Sequence, residues 1–220
     1  MYDQHVTESI SNTTMLLAFL AASFVLAATP GPGVLFIVTR TMRQGRGAGL
    51  ASVAGVAFGN FGNAVGASIG LATLFAISSA AFLIVKMSGA LYLIYLGLTA
   101  LRTKPAGTAP NEVPEVQIFK IFKDGFWVAL LNPKTAIFFA AFLPQFLQTS
   151  ASTMSQSVVL GAAFVLIAMC TDTAYVLAAA SVAPALGRLT RGAPMGRYLT
   201  ASVFIGLGLL TALSGNRAAR

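Results

Sequence analysis

The apolar run from Met15 to Thr39 is broken at its centre by Ala28-Thr29-Pro30-Gly31-Pro32-Gly33. Proline removes a backbone donor and clashes with the preceding turn, so this string predicts two half-helices in place of one continuous helix. Inside a bilayer such a break is tolerated only where it is buried in protein or lines a cavity. Thr29 followed by Pro30 reads as the start of the second half-helix, because a Thr N-cap with Pro at the first helical position is a favoured pair. The pattern returns in the apolar run Phe126 to Leu147, where Leu131-Asn132-Pro133-Lys134 again sets a capping side chain directly before a proline.

Composition places both runs in a membrane. The chain is 56% hydrophobic and 9% charged with a mean hydropathy of +0.80, whereas soluble domains carry roughly 25% charged residues. Runs of about 17 to 25 residues suffice to cross a bilayer. Six are present, near 15–39, 48–78, 80–101, 126–148, 158–183 and 196–213. The expected fold is an all-α integral membrane protein, one transmembrane domain over residues 1–220 with no room for a separate soluble domain.

A net charge of +8 raises the question of nucleic acid, but that partner needs basic residues clustered with aromatics on a soluble surface. Here the cations follow the loops. Arg40, Arg43, Arg46, Arg102, Lys104, Lys120, Lys123, Arg188, Arg191 and Arg197 fall on one side of the six-span topology, and only Arg217 and Arg220 on the other. Under the positive-inside rule both termini face outward and nucleic acid is not a partner. Asp3 and Glu8 stand where a cleaved signal would be positive, so the first span is expected to stay. Cys170 is the lone cysteine, which excludes an internal disulfide and a thiolate metal cage, and the single histidine, His5, falls in the outer tail.

Three spans per half means that a duplicated half inserts upside down. The expected halves are residues 15–101 and 126–213, with a cytoplasmic linker over 102–125 that carries Pro105, Pro110 and Pro114. Thr29-Pro30 aligns with Asn132-Pro133, and in a second register Asn60 aligns with Asp172. Gly55, Gly59, Gly62, Gly66 and Gly70 form one helical stripe suited to close packing, with a diluted counterpart in Thr171, Ala174 and Ala178. Val116 to Lys123 reads as a stretch lying at the membrane surface before Trp127 enters at the aromatic belt.

Lys86, Lys134 and Asp172 are the ionisable residues, tyrosine aside, that fall well inside spans, where charge is costly and marks function by default. Lys86 is near enough to a span end to snorkel. Lys134 sits at the positive end of the half-helix begun by Pro133, which calls for an anion there, either a substrate carboxylate or a side chain. Asp172 comes out roughly 16 Å deep and Lys134 roughly 12 Å from the same side. Burial favours the neutral form of a carboxyl and a nearby ammonium its charged form, so Asp172 is a candidate for proton exchange. Asn60, Asn63 and Tyr175 offer neutral hydrogen bonds to a polar ligand or to neighbouring helices.

From about Leu16 to Leu213 the chain resembles the lysine exporter (LysE-type) superfamily, in particular its homoserine/threonine exporter (RhtB-type) branch. The resemblance rests on Thr29-Pro30-Gly31-Pro32, on Lys86, Gly89, Tyr92-Leu93 and Gly97, and on Phe122, Gly125, Asn132-Pro133-Lys134, Phe138-Phe139 and Pro144-Gln145-Phe146. It implies a bacterial inner-membrane protein that exports amino acids with the proton gradient. The expected substrate site is then Thr29, Pro30, Gly31, Pro32, Asn60, Asn63, Asn132, Pro133, Lys134 and Tyr175, with Asp172 coupling protons and with no cofactor or metal. The expected partners are a small amino acid, protons and the lipid bilayer, and the oligomeric state stays open, a homo-oligomer included. Three rivals are weighed. A cation exporter of the same superfamily lacks ligands in the spans, a membrane-embedded serine hydrolase lacks a histidine beside its serine, and a passive pore has no use for Asp172.

Overall fold

The computed structural model describes residues 2–70, 79–102, 117–147, 152–189 and 195–213, and every regular element among them is helical. In order these are α1 (Tyr2–Ala28), α2 (Pro32–Ser68), α3 (Ser79–Arg102), α4 (Ile118–Leu130), α5 (Pro133–Ala141), a 3-10 turn (Leu143–Phe146), α6 (Thr153–Leu189) and α7 (Met195–Leu213). Pro32–Ser68, Leu83–Arg102 and Met154–Ala185 are long and apolar enough to cross a membrane. Ile118–Leu130 and Pro133–Phe146, bent by 50° to each other, meet the same test only when taken together, which gives three such spans among the described residues, or four if the bent pair is one. Thr13–Ala28 and Tyr198–Leu213 are shorter apolar helices.

α2 is a helical hairpin rather than a rod. Gly45 has φ 85 and ψ −177, a left-handed backbone that glycine adopts without steric cost. A β-carbon placed on Gly33 would lie 3.6 Å from Val56, residues that a straight helix would hold roughly 35 Å apart. Thr41 and Gly49 likewise meet across the turn. The connection expected between the first two apolar runs is thus one glycine, and two arms fold back on each other from it.

Both proline breaks form, but one starts elsewhere than expected. Asn132 caps α5 by accepting from the Lys134 N–H at 3.1 Å, with Pro133 at the first position. At the other break the N-cap is Gly31 with Pro32 in the first turn, not Thr29 with Pro30. A residue before proline is biased out of the α region, so Pro32 favours the extended Gly31 and a helix start at Pro32 over one at Pro30. Thr29 instead closes α1, its hydroxyl donating to the Val25 carbonyl at 2.6 Å.

Other boundaries move as well. α4 begins at Ile118 and runs unbroken to Leu130, so the described part of the expected surface stretch and Trp127 belong to one helix. The expected N-terminal tail is helical from Tyr2. The linker from Thr103 to Glu115, the side chain of His5, and Arg191, Arg217 and Arg220 lie outside the described residues.

Small residues set the packing. β-carbons at Gly55 and Gly59 would strike the carbonyls of Phe122 and Phe126, so the stripe on the second arm of α2 seats α4 against it. α3 and α7 pack in the same way through Gly97 and Gly208. One apolar cluster gathers Phe36, Val56, Leu93, Ile121, Val176 and Phe204. A second holds Phe19, Phe138, Phe139, Leu143 and Phe164 where α1, α5 and α6 meet.

Candidate functional site

The end of α1 leaves carbonyls without intrahelical partners, as every helix C-terminus does. Two side chains from other helices take them. The Lys134 Nζ donates to the Leu26 carbonyl at 2.7 Å and to the Thr29 carbonyl at 2.5 Å, and the Tyr175 hydroxyl donates to the Ala28 carbonyl at 2.7 Å. A helix C-terminus carries partial negative charge. The ammonium that the dipole of α5 would repel is therefore held by the opposite pole of α1. The anion expected opposite Lys134 is, in this conformation, a set of backbone carbonyls.

Thr29, Gly31, Asn60, Asn132, Lys134 and Asp172 line one cavity of about 40 Å³ between the two breaks. Asn60 is 6% exposed and Asp172 5%. Lys134 and Asp172 are close enough for their charges to interact, yet no ion pair within 4.0 Å joins them. Of the other expected site residues, Tyr175 reaches the site through Ala28, while Pro30, Pro32 and Pro133 shape the breaks without lining the cavity. Asn63 is directed elsewhere, donating to the Ala129 carbonyl at 2.9 Å as a bond between α2 and α4. Lys86 does not snorkel: it is 6% exposed.

Residues 24–215 match the family model of the LysE type translocator. The chain belongs to that family. Membership makes it a membrane translocator and not an enzyme. The homoserine/homoserine lactone efflux protein of Salmonella typhimurium is 33% identical over 166 residues, covering 76% of this chain and 81% of that protein. The leucine efflux protein of Salmonella choleraesuis is 29% identical over 192 residues, covering 86% and 90%. A membrane protein of Vibrio cholerae without assigned function is 30% identical over 199 residues, covering 89% and 95%. No solved structure matches.

This LysE-type chain carries a second polar cluster that the sequence reading did not find. The Arg40 Nη2 donates to Asp124 Oδ2 at 2.8 Å, with the side chains 20% and 12% exposed. The Tyr92 hydroxyl donates to Asp124 Oδ1 at 3.1 Å, and the guanidinium stacks 5.2 Å from the centre of the Phe36 ring. Three elements, the first arm of α2, α3 and α4, are thereby tied at one carboxylate. A signal was available, because Asp124 shares a helical face with the buried Ile121, Gly125 and Val128. Beginning the span at Phe126 hid it.

Proposed function

We propose that this translocator exports a small amino acid or a close derivative across the bacterial inner membrane by proton antiport, from a central site between the two helix breaks. The observation that carries the reading is the convergence on one cavity of a helix C-terminus, a capped helix N-terminus, an ammonium and a buried carboxyl. An amino acid is a zwitterion, and these are the complements of its two ends. The N-termini of α2 and α5 and Lys134 suit its carboxylate, and the carbonyls of α1 with Asp172 suit its ammonium or a proton. The efflux proteins of Salmonella named for homoserine and leucine support this substrate class.

The transmembrane arrangement belongs to the same proposal. Reading each arm of the α2 hairpin separately, α1 with the first arm and α4 with α5 each make a broken span. The second arm, α3, α6 and α7 bring the total to six, arranged as two inverted halves with both termini outside. About 40 Å³ is room for only about one to three waters, so the site must open before it receives substrate. Lys134 then acts as the cation that holds the site shut until a substrate ammonium replaces it on the α1 carbonyls.

Asp172→Asn tests the coupling, because Asn keeps the shape and the hydrogen bonding but cannot exchange a proton. In liposomes with an imposed pH gradient, the variant is expected to exchange substrate while no longer driving net efflux, and Asp172→Glu is expected to restore part of it. An Asn variant that follows the gradient as the wild type does would make Asp172 a structural residue.

A further inference from the structure

The Arg40 cluster borders a second cavity, of about 290 Å³, close to the lower end of small-molecule sites, roughly 300–1,000 Å³. Arg40, Arg43, Gln44, Thr99, Lys120 and Asp124 are among its lining residues. Three cations around one carboxylate leave the space electropositive, with a single acidic acceptor on its wall. Arg40 commits one nitrogen to Asp124, and its buried Nε has no partner among the described residues. An unmet buried donor is costly, and a guanidinium fork matches a carboxylate in two-point contact. Arg40 also lies on the arm of α2 that starts at the helix break, roughly 12 Å along it from Pro32, so one rigid element borders both cavities.

We propose that this cavity is a peripheral binding site for a small zwitterion, with Arg40, Arg43 and Lys120 receiving its carboxylate and Asp124 its ammonium, from which substrate passes to the central site. The identity of the zwitterion as an amino acid rests on the function proposed above. The site itself rests on the charge, volume and unmet donor of the cavity. Arg43 and Lys120 are exposed and stand outside the ion pair, so both can be changed without burying an unpaired charge.

The test uses the full chain in lipid nanodiscs and in liposomes. Calorimetric titration with L-homoserine and L-leucine is expected to give binding that leucinamide, which lacks the carboxylate, does not. The Arg43→Gln/Lys120→Gln variant is expected to weaken it about ten-fold and to raise the KM of efflux by a similar factor at an unchanged maximal rate. Lys134→Met, a change at the central cavity that is expected to abolish efflux, is expected to leave this binding in place, and loss of the binding there would assign it to the central cavity instead. Wild-type affinity and KM in the Gln variant, with efflux intact, would overturn the peripheral site and leave the exporter reading standing. Binding that depends on Arg43 and Lys120 in a protein that moves neither amino acid would do the reverse.

Discussion

Arg40 and Asp124 join the first arm of α2 to α4 through one bond of 2.8 Å, and a double-mutant cycle can measure what that bond contributes. Removing one partner of a fully buried pair costs about 3–5 kcal/mol, because the other charge is left without compensation. Here the side chains are 20% and 12% exposed, so water reaches the orphaned charge and each single change is expected to cost about 2 kcal/mol. Asp124→Leu also strips Tyr92 of its acceptor, while Arg40→Met leaves the carboxylate with the Tyr92 hydroxyl alone. Changing both removes the two charges together, and apolar replacements of similar volume are often neutral, so the double variant is expected to lose about 1 kcal/mol. The coupling is then about 3 kcal/mol, at the upper end of what contacting residues show. Reversible denaturation of the three variants and the wild type in detergent micelles gives the four stabilities. If the double variant loses the sum of the two single losses, the pair contributes no coupling, and the attachment of α2 to α4 rests on the glycine contacts, the shared apolar cluster and the Asn63 bond to the Ala129 carbonyl.

Lys134→Met strips the Leu26 and Thr29 carbonyls of two charge-assisted bonds and is expected to cost about 2 kcal/mol in the same assay and to abolish efflux; wild-type stability would show that these carbonyls do not need the ammonium. Gly59→Leu drives a side chain into the Phe126 carbonyl and is expected to cost at least about 1–3 kcal/mol. Gly47→Leu, with nothing within 4 Å of its β-carbon, is expected to leave stability near the wild-type value. Equal losses in the two glycine variants would remove the argument that α4 needs the glycine stripe.

The two breaks were readable because each joins a proline to a glycine or a capping side chain, whereas Pro184, without either beside it, leaves α6 continuous. The local bias that a proline sets on the residue before it, carried one residue further, favours a helix start at Pro32, because Gly31 also precedes a proline, a point that the attractive Thr29-Pro30 pair concealed. Asp124 was missed for a different reason. A hydropathy count over Lys120, Lys123 and Asp124 ends the apolar run. Helical spacing instead turns Lys123 away from Asp124, which falls on the buried face with Ile121, Gly125 and Val128, while Lys120 stands one turn before Asp124 in the exposed first turn of α4. No local rule could have found the partner of Lys134. The Leu26 carbonyl lies 108 residues away, and backbone acceptors leave no mark in the residue types. Their identity matters for mechanism. A carboxylate opposite Lys134 would have fixed the ammonium as a permanent ion pair, whereas neutral carbonyls hold it through partial charges. Asp172 is meanwhile left in the same cavity without an ion pair. The cation is then held weakly enough for another ammonium to compete, and the carboxyl is not spent on holding it. The proton antiport of a zwitterion proposed above requires both.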